Sequence, residues 1–81
     1  MATREDLQTW IVDALNATPR KSGSIVDICK HVWREHESDL KASNDLFYTW
    51  QYDIRWAANR LRHHKQMKSV QMSPKGLWEL P

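Results

Sequence analysis

DLFYTWQYDIRWAANRLRHHKQ, residues 45–66, is the stretch on which the reading of this chain turns. It holds no Gly or Pro, and Phe47, Trp50, Ile54, Ala57, Ala58 and Leu61 recur at intervals of three and four. That spacing sets all six on one stripe of an α-helix. At about 1.5 Å per residue such a helix reaches roughly 30 Å, long for so small a protein. Its other side carries Tyr48, Tyr52, Arg55, Trp56, Asn59, Arg60 and His63. Ordinary solvated faces draw on Lys, Glu, Gln and Ala. This one mixes arginines, an amide and large aromatics, with no acid near its centre, and is a candidate recognition helix.

The 81 residues allow one domain, 1–81, with no room for two cores. Hydrophobic residues make up 41% and charged ones 27%, which argues against disorder, and five Trp give the core large units to bury. Cys29 is the only cysteine, so no internal disulfide forms. No secretory leader, lipidation signal or apolar run of membrane length is read, and the expected compartment is the cytoplasm, with association to the nucleoid if the source is bacterial. Net charge is +2, but its distribution is uneven. Residues 1–45 hold six Lys/Arg against eight Asp/Glu, a net of −2, and residues 46–81 hold six against two, a net of +4. A basic C-terminal half suggests a directional surface for a polyanion.

Outward from the central helix, Leu7, Trp10, Ile11, Ala14 and Leu15 describe a first amphipathic helix, with Thr3 as its cap and Glu5 and Asp6 in its first turn. Residues 16–23 break it at Pro19 and Gly23, leaving Arg20 and Lys21 exposed as a secondary phosphate contact. A very short strand is expected near Ser24-Ile25, then a second helix over 26–36 with Ile25, Ile28, Cys29 and Val32 inward and Trp33 widening that face. Residues 37–44 have turn character, Leu40 tucks inward, and Ser43 or Asn44 caps the third helix.

Beyond Gln66 the period shortens to two. Val70 and Met72 share one face, Trp78 and Leu80 another, and Ser73-Pro74-Lys75-Gly76 between them has turn composition. This predicts a β-hairpin over about 68–80. Three helices followed by a two-stranded hairpin wing is the order of a mainly α (α+β) winged helix-turn-helix.

Arg55-Trp56-Ala57-Ala58-Asn59-Arg60-Leu61, followed by Ser73-Pro74-Lys75-Gly76-Leu77-Trp78-Glu79-Leu80, resembles the N-terminal winged-helix domain of Mrr-type restriction endonucleases. The likeness is best over residues 54–80. It implies a winged-helix fold and DNA recognition, with Trp56 as a packing residue. The family couples this domain to a nuclease domain, and the resemblance gives this chain no cleavage activity.

Double-stranded DNA is the expected partner. Asn59 suits adenine, Arg55 and Arg60 suit guanine or phosphate, and Tyr48 and Tyr52 suit phosphates. Thr49 and Gln51 lie in the N-terminal half of the helix, which usually enters the major groove. His63 lies on the same face, and Lys68 and Lys75 suit a wing lying on phosphates. A homodimer or a protein partner would supply a second half-site. The competing reading is a protein-interaction winged helix that docks through Tyr48, Tyr52 and Trp56, where aromatic anchors concentrate binding energy. Cys29, His31, His36, His63 and His64 have no closed metal-site spacing, so no metal is expected. No cofactor is expected either. No P-loop, GxGxxG or HExxH is present, and enzymatic activity is not expected.

Overall fold

A computed structural model of the chain describes residues 2–81. The order is α1 (Asp6–Asn16), a 3-10 turn (Pro19–Lys21), β1 (Ser22–Ser24), α2 (Ile25–Lys41), α3 (Asp45–His63), a second 3-10 turn (Val70–Met72) and β2 (Leu77–Glu79). The radius of gyration is 12.0 Å, the value a compact chain of this length adopts. The result is a mainly helical domain with three helices and a two-stranded antiparallel sheet. Among the described residues, no helix is long and apolar enough to cross a membrane.

The α1 stripe forms as its spacing predicts, with Leu7, Trp10, Ile11, Ala14 and Leu15 all buried. Its start differs from expectation. Thr3 does not cap through its side chain; its backbone N–H donates to the Asp6 carboxylate at 2.9 Å, and its carbonyl accepts from the Asp6 N–H at 3.0 Å. A tightened first turn, with bonds spanning three residues from Thr3 to Gln8, does the work of the cap.

Ser24 ends β1 and caps α2, its hydroxyl accepting from the Asp27 N–H at 3.1 Å. The helix does not stop at His36. His36 leaves helical geometry (φ −129°, ψ 18°), and its ring stacks on Trp10 with centroids 3.9 Å apart. Helix then resumes to Lys41, because turning back onto α1 buries Leu40 completely while Lys41 pairs with Glu37 at 2.6 Å. The Ser43 hydroxyl, buried beyond that helix, accepts from the Ala2 N–H at 2.9 Å and donates to the Asp39 carbonyl, so it does not cap α3.

Along α3 the buried stripe is Leu46, Trp50, Ile54, Ala57, Ala58 and Leu61. Leu46 takes the place expected of Phe47, which sits half-buried beside Trp33. The helix ends at His63, where Lys65 adopts a left-handed conformation (φ 59°). The Gln66 N–H then donates to the Leu61 carbonyl at 2.8 Å and the Lys65 N–H to the Arg62 carbonyl at 3.1 Å, the double closure of a Schellman motif.

The hairpin expected over 68–80 is not formed. Its turn is present: the Leu77 N–H donates to the Pro74 carbonyl at 3.1 Å, and Gly76 holds φ +79°, which a side chain would strain. Its second arm is β2, but β2 pairs with β1, in the register Ser22↔Glu79, Gly23↔Trp78, Ser24↔Leu77. The first arm contributes one bond, from the Lys68 N–H to the Glu79 carbonyl at 2.9 Å, and then coils. The Ser69 carbonyl accepts from both the Met72 N–H and the Ser73 hydroxyl, so local bonds displace the ladder. Met67 fills the apolar position at this end of the core, and Val70 and Met72 are left in solvent.

The left-handed Lys65 generates the first prediction. Lys65→Gly removes the Cβ conflict at the α3 closure and is expected to stabilise the domain by about 1 kcal/mol. Thermal unfolding followed by circular dichroism should show a Tm raised by several degrees; an unchanged or lowered Tm would contradict this account of the closure.

Candidate nucleic-acid interface

At about 100° per residue, the exposed residues of α3 do not form one face. Tyr48, Tyr52, Arg55 and Asn59 fall within an arc of roughly 60°, whereas Trp56, Thr49 and Arg60 fall in an adjoining arc that begins roughly 40° beyond Tyr52. The first arc is open: Tyr48 is 83% and Tyr52 79% exposed, and Arg55 and Asn59 are exposed beside them. His63 is exposed at the end of the helix, its ring edge-on to His64. The second arc is occupied by local partners. The Thr49 hydroxyl donates to the Asp53 carboxylate at 2.7 Å. Trp56 is half-buried against the core, with the Arg4 guanidinium 4.1 Å from its ring centroid and that of Arg60 at 6.0 Å. Thr49 and Arg60 therefore lie to one side of the open arc, and Trp56, one turn beyond Tyr52, is half-covered by Arg4 and the core.

Beside the open arc runs a groove of about 540 Å³, walled by α3 on one side and by the segment 70–78 on the other. Arg55, Asn59 and Arg62 line it from the helix and Lys75 from the turn. No Asp or Glu lines it. Three cations and an amide, separated by up to twenty positions in the chain, thus converge on one concavity whose floor includes Ala58 and Trp78. Like charges along a concave wall focus a positive potential within it.

Arg62 had no place in the sequence reading, because it sits at the edge of the apolar stripe. Its Nε donates to the Lys68 carbonyl at 3.1 Å, tying the end of α3 to the start of the loop. Partial burial lowers its pKa from the ordinary guanidinium value. The remaining donors of its fork are available to the groove.

Lys68 is engaged within the fold. Its ammonium lies 3.1 Å from a Glu79 carboxylate oxygen, and both side chains are largely covered. The other Glu79 oxygen accepts from the Ser22 hydroxyl at 3.1 Å. Glu79 thereby clamps β1, β2 and the start of the loop together, and Lys68 spends its charge on that clamp. The hydrogen bond from Lys68 is the largest influence on Glu79 and lowers its pKa; burial opposes it, and the Ser22 bond and the Lys68 charge lower it further. Arg20 and Lys21, both exposed and both at positive φ, flank β1 outside the groove.

A second groove of about 580 Å³ separates α2 from α3, with Gln51 and Arg55 on its α3 side. Arg55 borders both grooves. Among the described residues, no three His, Cys, Asp or Glu side chains gather in a way that would hold a metal ion. Compared with models of known protein families, with curated proteins and with solved structures, the chain matches none.

The Glu79 clamp generates a pH prediction. Its folded-state pKa is lowered, so its stabilisation is complete above the unfolded value of about 4.5 and is lost as pH falls through the folded value. Thermal midpoints taken from about pH 7 to about pH 3 should therefore fall more steeply for the natural chain than for Glu79→Gln. Parallel curves would rule out the clamp as a source of acid sensitivity.

Proposed function

We propose that this chain is a winged helix-turn-helix domain that binds double-stranded DNA, either in transcription regulation or as a stand-alone recognition module of the restriction type. The observation that carries this reading is the convergence of Arg55, Asn59, Arg62 and Lys75 on one acid-free groove. In the proposal, α3 lies in the major groove, Asn59 meets a base edge, Arg55 meets a phosphate, and the loop over 69–76 acts as the wing, with Lys75 on a second phosphate. Tyr48 and Tyr52, one helical turn apart and exposed, donate to phosphates from the N-terminal half of α3. The resemblance of residues 54–80 to the Mrr-type N-terminal domain supports the same partner. The proposal assigns the chain no catalytic step and places it in the cytoplasm. The exposure of Tyr48 and Tyr52 also favours a second reading, docking of a protein partner on that arc.

Fluorescence anisotropy of a labelled random-sequence duplex at several salt concentrations tests the proposal. Each phosphate contact contributes about −0.9 to the slope of log affinity against log salt. Arg55→Ala combined with Lys75→Ala should weaken binding and flatten that slope by roughly two. Arg60→Ala should change it far less, because Arg60 lies on the other arc. Absence of binding at low salt would refute DNA recognition. Salt-insensitive binding of a protein, lost in Tyr52→Ala, would replace it with the docking reading.

A further inference from the structure

The groove between α2 and α3 shares Arg55 with the groove assigned to DNA, and it is the one walled by three aromatic side chains. Trp33, Phe47 and Trp50 form its aromatic wall. The rings of Trp33 and Trp50 are nearly parallel (7°) with centroids 6.0 Å apart, and Phe47 sits 6.5 Å from Trp33 at 38°. Val26, on the first turn of α2, is 57% exposed at its edge. Lys30 and Arg55 supply its only charges, and no acid lines it. The Arg55 charge reaches the interior: burial pushes the Cys29 thiol pKa up, and Arg55 pulls it the other way.

A concavity of this size, walled by rings and rimmed by a few polar groups, has the make-up of a small-molecule site. We propose that it binds a planar aromatic anion, a carboxylate or sulfonate borne on fused or linked rings, with the rings against Trp33, Phe47 and Trp50 and the anionic group between Lys30 and Arg55. The rings replace water on Trp33 and Phe47, which the fold leaves half-covered beside the buried Trp50, and the two cations exclude neutral and cationic analogues from equal affinity. Because Arg55 also lines the groove assigned to DNA, the anion and a phosphate compete for one guanidinium. The site is then an effector site that opposes DNA binding. That last step rests on the DNA reading; the site itself does not.

Anilinonaphthalene sulfonate is a suitable probe, since it is an aromatic anion that accepts excitation energy from Trp. Titrated into the protein without DNA, it should give saturable energy transfer and shift the indole resonances of Trp33 and Trp50. Lys30→Glu and Val26→Asp alter exposed positions and should keep the fold, as circular dichroism will verify. Lys30→Glu should weaken the probe roughly ten-fold. N-phenylnaphthylamine, the same rings without the sulfonate, should bind more weakly to the natural chain and be indifferent to Lys30→Glu.

No saturable binding, or binding unaffected by both variants, overturns the site. Equal affinity for the neutral rings overturns the anion assignment and leaves a purely apolar docking face. A signal that fades as protein concentration rises does the same, with a second copy of the chain as the occupant. The coupling is read separately, by adding probe to the protein–duplex complex. Displacement supports it, and simultaneous occupancy overturns it. Failure of DNA binding itself leaves the first titration fully interpretable.

Discussion

The structure depends on the packing of α1 against α3. These helices make the most extensive helix–helix contact in the domain, while Trp10 and Trp50 of their buried stripes also stack on His36 and Trp33 of α2. Ala57 and Ala58 sit fully within the α3 stripe, and side chains this small let neighbouring backbone come close. Leu7, Ile11 and Leu15 from α1, with Ile54 and Leu61 from α3, are almost wholly excluded from water. At about 1.5–3 kcal/mol for each such side chain, they supply much of the driving force available to a domain of this size. Beyond that stripe α3 half-buries only Phe47 and Trp56 among its large apolar side chains. The arc of Tyr48, Tyr52, Arg55 and Asn59 is left open to solvent, and its composition decides what work it can do.

A single carboxylate organises the other end of the molecule. The two strands are three residues each, too short to hold themselves together. Glu79 bonds to Ser22 on one side and Lys68 on the other, while the Lys68 carbonyl accepts from Arg62. This chain of contacts joins β1, β2, the loop and the end of α3. It fixes the wall that carries Lys75 relative to the wall that carries Arg55 and Asn59. A charge lost from the groove at Lys68 is thus exchanged for a groove with a defined second wall.

What the sequence disclosed follows from the length of its periodic signals. The stripes of α1 and α3 run for three turns or more, and both were legible, with only the first member of the α3 stripe misassigned by one residue. The alternation over Lys68 to Met72 spans five residues, which is too few to separate a strand from a loop whose serines bond locally. Two consequences of packing left no local trace. Arg62 enters the site because the loop folds back onto it, and the aromatic groove exists only because α2 and α3 leave a gap between them. The division of the α3 surface was readable in principle, since the helical angle separates Thr49 and Arg60 from Arg55 and Asn59. Grouping them by chemistry alone concealed it.

The position of Arg55 ties the two grooves into one physical system. A guanidinium has five donors in a rigid planar fork and a charge that is never lost at ordinary pH, so it can serve either groove without changing its ionisation. It cannot satisfy a base or phosphate on one side and a ligand anion on the other at full strength. On the proposed DNA reading, a groove with so few cations would hold duplex weakly, in about the micromolar range or above at physiological salt. In so sparse a contact set, diverting one arginine removes a large fraction of the electrostatic term. On the proposed reading, the modest charge of this domain would be what makes it responsive: a strongly basic protein would tolerate the loss of Arg55, and this one would not.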